Sequence, residues 1–218
     1  MTGTHLFVGP SAMGLRTPIP HDVEVHPPAR RGSVHRLIAQ QPEPGVILLA
    51  DGTFHSYPAV GHRELRDALE SGWRVWGLCS MGAIRAAEMH TLGMLGHGSV
   101  FRAFADDPDF ADDEVALVHG LEPPFRAVSE PMVHLRSYFE HLRTTGALSA
   151  EQVDQALAYF KRRWYAERTL PALVQYLEGL GHHAVRADVR EFDRFRVKTH
   201  DLESFLTDRP WILKEAHA

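Results

Sequence analysis

The stretch Gly77-Leu78-Cys79-Ser80-Met81-Gly82-Ala83-Ile84-Arg85-Ala86-Ala87-Glu88 follows the apolar residues of Trp73-Arg74-Val75-Trp76 and reads as strand, sharp turn and helix. A serine between glycines at such a junction lies where backbone N–H groups and the positive end of the helix dipole converge, so an oxyanion developing there would be stabilised. The spacing, Gly-x-x-Ser-x-Gly, is one residue longer than that of a nucleophile elbow, and tight glycine turns of this kind also occur in α/β folds with no chemistry at all. Two further turns carry polar residues suited to a site, Val8-Gly9-Pro10-Ser11 and Asp51-Gly52-Thr53-Phe54. Asp-Gly is equally an ordinary turn pair. The acidic run Asp112-Asp113-Glu114 is either a solvated loop or a further part of the site.

Positioning these groups requires a sheet. Leu6-Phe7-Val8, Val23-Glu24-Val25, Val46-Ile47-Leu48-Leu49, Val75-Trp76 and Val115-Ala116-Leu117-Val118 read as strands, with helical patterns over 33–40, 61–70 and 82–92 between several of them. That alternation predicts an α/β fold with a mainly parallel sheet flanked by helices in the N-terminal part, where ligands gather at the carboxyl ends of the strands. Ser11, Asp51 and Ser80 all fall at such ends. After Ser129 the strand signals fade, and helices are predicted over 131–145, 150–164 and 169–180, then a short one around Leu202 and Phe205. The division expected is an α/β core over residues 1–128 and a helical C-terminal half over 129–218, packed as one compact unit.

Composition excludes several classes of function. A formal charge of −5 over 218 residues, with arginine scattered, lacks the concentrated basic surface that a phosphate backbone demands, so no nucleic-acid partner is expected. Lys161-Arg162-Arg163 reads as a solvated helix face. One cysteine excludes an internal disulfide framework. No apolar run is long enough to span a membrane and the first residues lack a signal-peptide core, which makes a soluble cytoplasmic protein the expectation. The fifteen histidines include no His-Glu-x-x-His and no Cys/His cluster; His62, His97, His119 and the His182-His183 pair read as surface or hydrogen-bonding residues, and no metal or other cofactor is expected.

Beyond single motifs, a series of blocks stands in a fixed order: Phe7-Val8-Gly9-Pro10-Ser11, Pro27-Pro28-Ala29, Asp51-Gly52-Thr53-Phe54, Ala59-Val60-Gly61-His62-Arg63-Glu64-Leu65, Ser80 to Met89, Gly93-Met94 and Asp113-Glu114-Val115-Ala116. In this the chain resembles the TfuA-like proteins, with a fainter match at Val197-Lys198-Thr199-His200-Asp201. Arg63 replaces the lysine usual in that family's His-Lys-Glu element. TfuA-like proteins accompany YcaO enzymes, which phosphorylate a peptide backbone amide, and are needed when the amide oxygen is exchanged for sulfur. The resemblance implies release of sulfide from a thiocarboxylated ThiS-like carrier by a Ser-Lys pair, together with docking to the YcaO partner.

The residues can be set against that chemistry. A serine attacking the thiocarboxylate carbonyl would expel hydrosulfide and leave an acyl-enzyme for water. Ser80 fits the nucleophile, with Ser11 the alternative. A lysine serves as base only when burial or positive neighbours bring its pKa towards neutrality, and Lys198, after Phe195 and Val197, is the candidate, while Lys161 and Lys214 are expected to be solvated. Arg85, one turn beyond Ser80, would hold the anionic substrate or pair with Asp51 or Glu88. The substrate-binding set is then Ser11, Asp51, Gly52, Gly82, Arg85 and Glu88. Cys79, next to Ser80, should point away from it and pack in the core. The reading is a serine-lysine hydrolase acting on a thiocarboxylate; the alternatives are a non-catalytic adaptor that docks the YcaO enzyme, and a phosphate cradle at Gly82, which lacks any nucleotide fingerprint.

Overall fold

The computed structural model describes residues 3–54, 57–182 and 189–212. Strands β1 (Thr4–Phe7), β2 (Val23–His26), β3 (Val46–Leu49), β4 (Arg74–Gly77) and β5 (Leu95–Gly96) form one sheet in the order β2-β1-β3-β4-β5. Every neighbouring pair is parallel. The chain is α/β, as its alternating pattern predicts. β3, Val-Ile-Leu-Leu, is buried along its whole length, as a central parallel strand must be when helices cover both faces.

Successive strand residues point to opposite faces, which sorts the core into two. Phe7, Ile47, Leu49 and Val75 pack under α1 (Ser33–Gln40), α2 (His62–Glu70) and α3 (Met81–Met89). Leu6, Val46 and Leu48 pack instead with Leu202, Phe205 and Leu206. Numbering the helices in chain order, with α4 (Gly98–Asp106), α5 (Met132–Thr144), α6 (Ala150–Arg162) and α7 (Leu170–Gly179), makes this last element α8 (Val197–Asp208). The buried Glu64 joins two helix starts: its carboxylate accepts the Gly61 N–H (2.8 Å) at α2 and the Gly32 (3.1 Å) and Val34 (3.0 Å) N–H groups at α1.

The chain divides into two compact units, Met1–Asp109 with Lys198–Ala218, and Phe110–Val197. The sheet and nearly all of α8, Lys198 included, belong to the first. One local expectation is corrected, and one element was not foreseen. Val115-Ala116-Leu117-Val118 joins no strand; it follows a 3-10 turn (Asp112–Glu114), and Val115 and Ala116 are buried outside the sheet, a burial that a short apolar run cannot distinguish from a strand. The fifth strand is β5, too short to show a period. The unpredicted α4 has no side-chain cap of its own, because Asp201 supplies one from α8.

In the second unit Tyr138, Phe139, Phe160, Leu173, Phe192 and Phe195 form a separate core. Asp113 and Glu114 do not form a freely solvated loop but are ion-paired within this unit. Arg136 donates two 2.8 Å hydrogen bonds to Glu114, Lys161 lies 2.9 Å from Glu114 and also binds Asp113, and the buried Arg168 donates to Asp113 at 2.6 Å. Lys161 is therefore ion-paired rather than freely solvated. Burial pushes the Glu114 carboxyl up, but hydrogen bonds from Arg136 and Lys161 and their charges outweigh it and hold the group below the usual carboxylate range. Its contribution is thus fully present above the unfolded carboxylate pKa and is lost as pH falls through the folded one. Glu114→Gln should lower stability at pH 7 by about 3 kcal/mol, and its urea midpoint should vary less than that of the native protein between roughly pH 5 and 3. Equal slopes for the two proteins would show that this carboxylate does not govern the acid limb.

Candidate functional site

The strand order reverses between β1 and β3, since β2 lies on one side of β1 and β3 on the other. At such a switch point the loops leaving the two carboxyl ends part and open a crevice. Here the Phe7 carbonyl accepts both the Ala50 (3.0 Å) and Asp51 (3.1 Å) N–H groups, which fixes the start of the loop after β3. The Asp51 carboxylate reaches across to the loop after β1. Its Oδ2 accepts the Gly9 (2.8 Å) and Ser11 (2.9 Å) N–H groups, and its Oδ1 accepts the Ser11 hydroxyl at 2.7 Å. Lys198 Nζ stands 3.9 Å from the same Oδ1, and the lysine and aspartate side chains are only 1% and 2% exposed. Ser11, Asp51 and Lys198 are brought together; burial of this lysine among the loops after β1 and β3 was what the sequence could only expect.

The element Val197-Lys198-Thr199-His200-Asp201 is the opening of α8, not a lead-in to a later short helix. Three of its side chains work on the sheet unit. Lys198 faces Asp51, the Thr199 hydroxyl donates to the Met13 carbonyl (3.0 Å), and Asp201 accepts the Ser99 N–H (2.8 Å), the Ser99 hydroxyl (2.9 Å) and the Val100 N–H (2.9 Å) at the start of α4. A carboxylate on free N–H groups at a helix start offsets the helix dipole as well as capping it.

At the end of β4 the turn is sharp. Cys79 has φ 63°, a left-handed conformation that costs a non-glycine residue about 1 kcal/mol or more, and the Ser80 N–H closes on the Leu78 carbonyl at 2.7 Å. The strained position is thus Cys79, one residue before the serine. Its thiol is fully buried in the core with Leu78 and Leu202, yet it also meets the Ser11 hydroxyl, so it lies nearer the polar cluster than a simple packing residue. Burial, followed by the charges of Asp201 and Asp51, pushes the thiol well above its ordinary pKa. A protonated thiol is a poor nucleophile, which removes Cys79 from that role. Ser80 occupies the N-cap of α3 and is buried, but its hydroxyl makes no capping hydrogen bond. It is not spent on the helix.

The glycines expected to bind substrate have a packing reason. A Cβ on Gly82 would lie 1.6 Å from the Leu49 carbonyl oxygen, and one on Gly77 would lie 2.0 Å from the Gly82 oxygen. The first turn of α3 therefore rests directly on β3 and β4. A Cβ on Gly52 would come within 2.8 Å of Met81 Cγ. Arg85 takes Glu88 rather than Asp51: it donates to Glu88 Oε2 at 2.6 Å and to the Val60 carbonyl at 3.0 Å, and the same Glu88 oxygen is 2.8 Å from His62 Nε2. Glu88 and His62 are open to solvent, so this triad marks the surface beside α3. His97 pairs with the Ser204 hydroxyl and His119 with the Gly120 carbonyl; His183 and Lys214 lie outside the described residues.

A parallel sheet with helices on both faces, carrying a buried serine, carboxylate and lysine at its switch point, is a doubly wound α/β protein with its chemistry-bearing groups where such folds hold ligands. A comparison with protein-family models matches residues 51–169 to the family described as TfuA-like protein, more than half of the chain. The chain belongs to the TfuA-like family. Asp51, Ser80 and Arg85 fall within the matched span, whereas Ser11 and Lys198 flank it. No curated protein matches the chain significantly. Among the described residues no helix is long and apolar enough to cross a membrane.

Proposed function

We propose that this TfuA-like protein is a sulfide-releasing hydrolase of a thiocarboxylated ThiS-like carrier, which supplies sulfur to a YcaO enzyme for peptide backbone thioamidation. The observation that carries the proposal is Lys198: an amine 1% exposed and 3.9 Å from Asp51, near the carboxyl ends of the strands, where two serines also stand. A lysine without a role is seldom buried so fully. Lys198 thus has its amine out of water and beside a carboxylate, within the cluster that also holds Ser11.

Ser80 is the nucleophile in this reading, because its hydroxyl is free of the helix cap while that of Ser11 is committed to Asp51. The Ser80 oxygen adds to the thiocarboxylate carbon and its proton passes to Lys198. As the C–S bond breaks, Lys198 returns that proton to sulfur, so hydrosulfide leaves and an ester to Ser80 remains. Water, deprotonated by Lys198, then adds to the ester carbon; as the bond from carbon to the Ser80 oxygen breaks, Lys198 returns the proton to that oxygen, which regenerates the serine and leaves the carboxylic acid, ionised to carboxylate in water. Ser11 and Asp51 orient the lysine, and Arg85 exchanges Glu88 for the anionic carrier tail.

Mass spectrometry of a thiocarboxylated carrier incubated with this protein alone, with sulfide measured in parallel, tests the activity. Conversion to carboxylate with one equivalent of sulfide is expected. An intact thiocarboxylate, together with tighter substrate binding by the YcaO enzyme when the protein is added, would establish the adaptor instead.

A further inference from the structure

The parallel register of β1 and β2 sets His5 opposite Glu24 and Phe7 opposite His26, so His5, Glu24 and His26 share one face at the edge of the sheet. None of the three belongs to the Ser80, Asp51 and Lys198 site. His5 Nδ1 is 3.1 Å from His26 Nε2 and 3.3 Å from one Glu24 oxygen, and the other Glu24 oxygen is 3.6 Å from His26 Nε2. A tetrahedral ion with bonds of about 2.0–2.2 Å has ligand atoms roughly 3.3–3.6 Å apart, and the donor atoms here lie within a few tenths of an ångström of that spacing, with each Glu24 oxygen turned to one of the two rings. We infer that His5, Glu24 and His26 form a binding site for one divalent cation of the zinc class.

The donor set and its setting agree with that class. Two imidazoles and one carboxylate suit zinc and its first-row neighbours, and not calcium or magnesium, which take oxygen ligands. The rings are held before any ion arrives: His26 stacks on Phe7 with centroids 4.8 Å apart, and His5 lies between His26 (5.4 Å) and Trp73 (5.8 Å). The buried His5 Nε2 has no hydrogen-bond partner, so the polar engagement of this ring is through Nδ1, towards the cluster. Sites carried on regular strands hold their geometry better than sites on loops. Glu24 is 60% exposed, which leaves the fourth position to water or an exogenous anion, and the ion would tie edge strand β2 to β1.

Tag-free protein titrated with Zn²⁺ and with Co²⁺ should bind one equivalent of each at this site, the cobalt form showing the visible bands of a tetrahedral ion, and zinc should raise the thermal midpoint. Glu24→Gln and His26→Ala each remove an exposed or half-exposed ligand without opening the core, and each should weaken binding at least tenfold. The double variant should lose both the cobalt bands and the thermal shift. Absence of stoichiometric binding by the native protein, or unchanged binding by the double variant, would overturn the assignment.

Discussion

Ser80→Ala should lower carrier hydrolysis by about a thousandfold or more, and Lys198→Met should do the same, because in the proposed reaction the attacking oxygen and the group that takes its proton act as one unit. The double variant should be no slower than either single one. Cys79→Ala should keep most activity, since the thiol is held protonated by burial. Ser11→Ala should cost less than Ser80→Ala, because it loosens Asp51 without removing the nucleophile. Added sulfide should partly restore thioamidation by the YcaO enzyme in the presence of Ser80→Ala, as delivery alone is then missing. Turnover measured by mass spectrometry decides among these. Near-normal turnover by Ser80→Ala with complete loss in Ser11→Ala would move the nucleophile to Ser11, and normal turnover by Lys198→Met would remove the lysine from the reaction.

Gly82→Ala should unfold much of the protein. The added methyl would sit 1.6 Å from the Leu49 carbonyl oxygen, backbone against backbone, so no rotamer change relieves it and α3 must lift from the sheet. Overpacking of that kind costs about 3 kcal/mol or more, a large share of the roughly 5–15 kcal/mol by which domains are stable. Gly179→Ala is the contrast: nothing lies within 4 Å of its Cβ position at the end of α7, and the change should be neutral or mildly stabilising. Urea midpoints followed by circular dichroism report both. A Gly82→Ala midpoint equal to the native one would mean that α3 has room this packing denies.

Local patterning determined most of the elements. The fully apolar Val46–Leu49 run, the glycine turn before Ser80 and the periodic faces of 33–40, 131–145 and 150–164 are signals carried by neighbours in the chain, and burial of one face or of a whole strand leaves its mark within a few residues. The same signals placed Ser11, Asp51 and Ser80 at strand ends, where a parallel sheet gathers them. They erred where burial came without a strand, at Val115 and Ala116, and where an element takes its support from elsewhere, as α4 does from Asp201.

Tertiary structure alone decided which distant groups meet. Lys198 was marked in the sequence only by apolar neighbours, and only the fold shows that α8 lays it against Asp51; Arg85 had two carboxylates on offer until the fold gave it Glu88. His5 stands far in sequence from Glu24 and His26, with no spacing to announce them, and only the register of β1 on β2 makes them neighbours. Ion pairs and ligand sets depend on distances of a few ångströms between side chains on different elements, and sequence periodicity records which face of an element is buried, never what it is buried against.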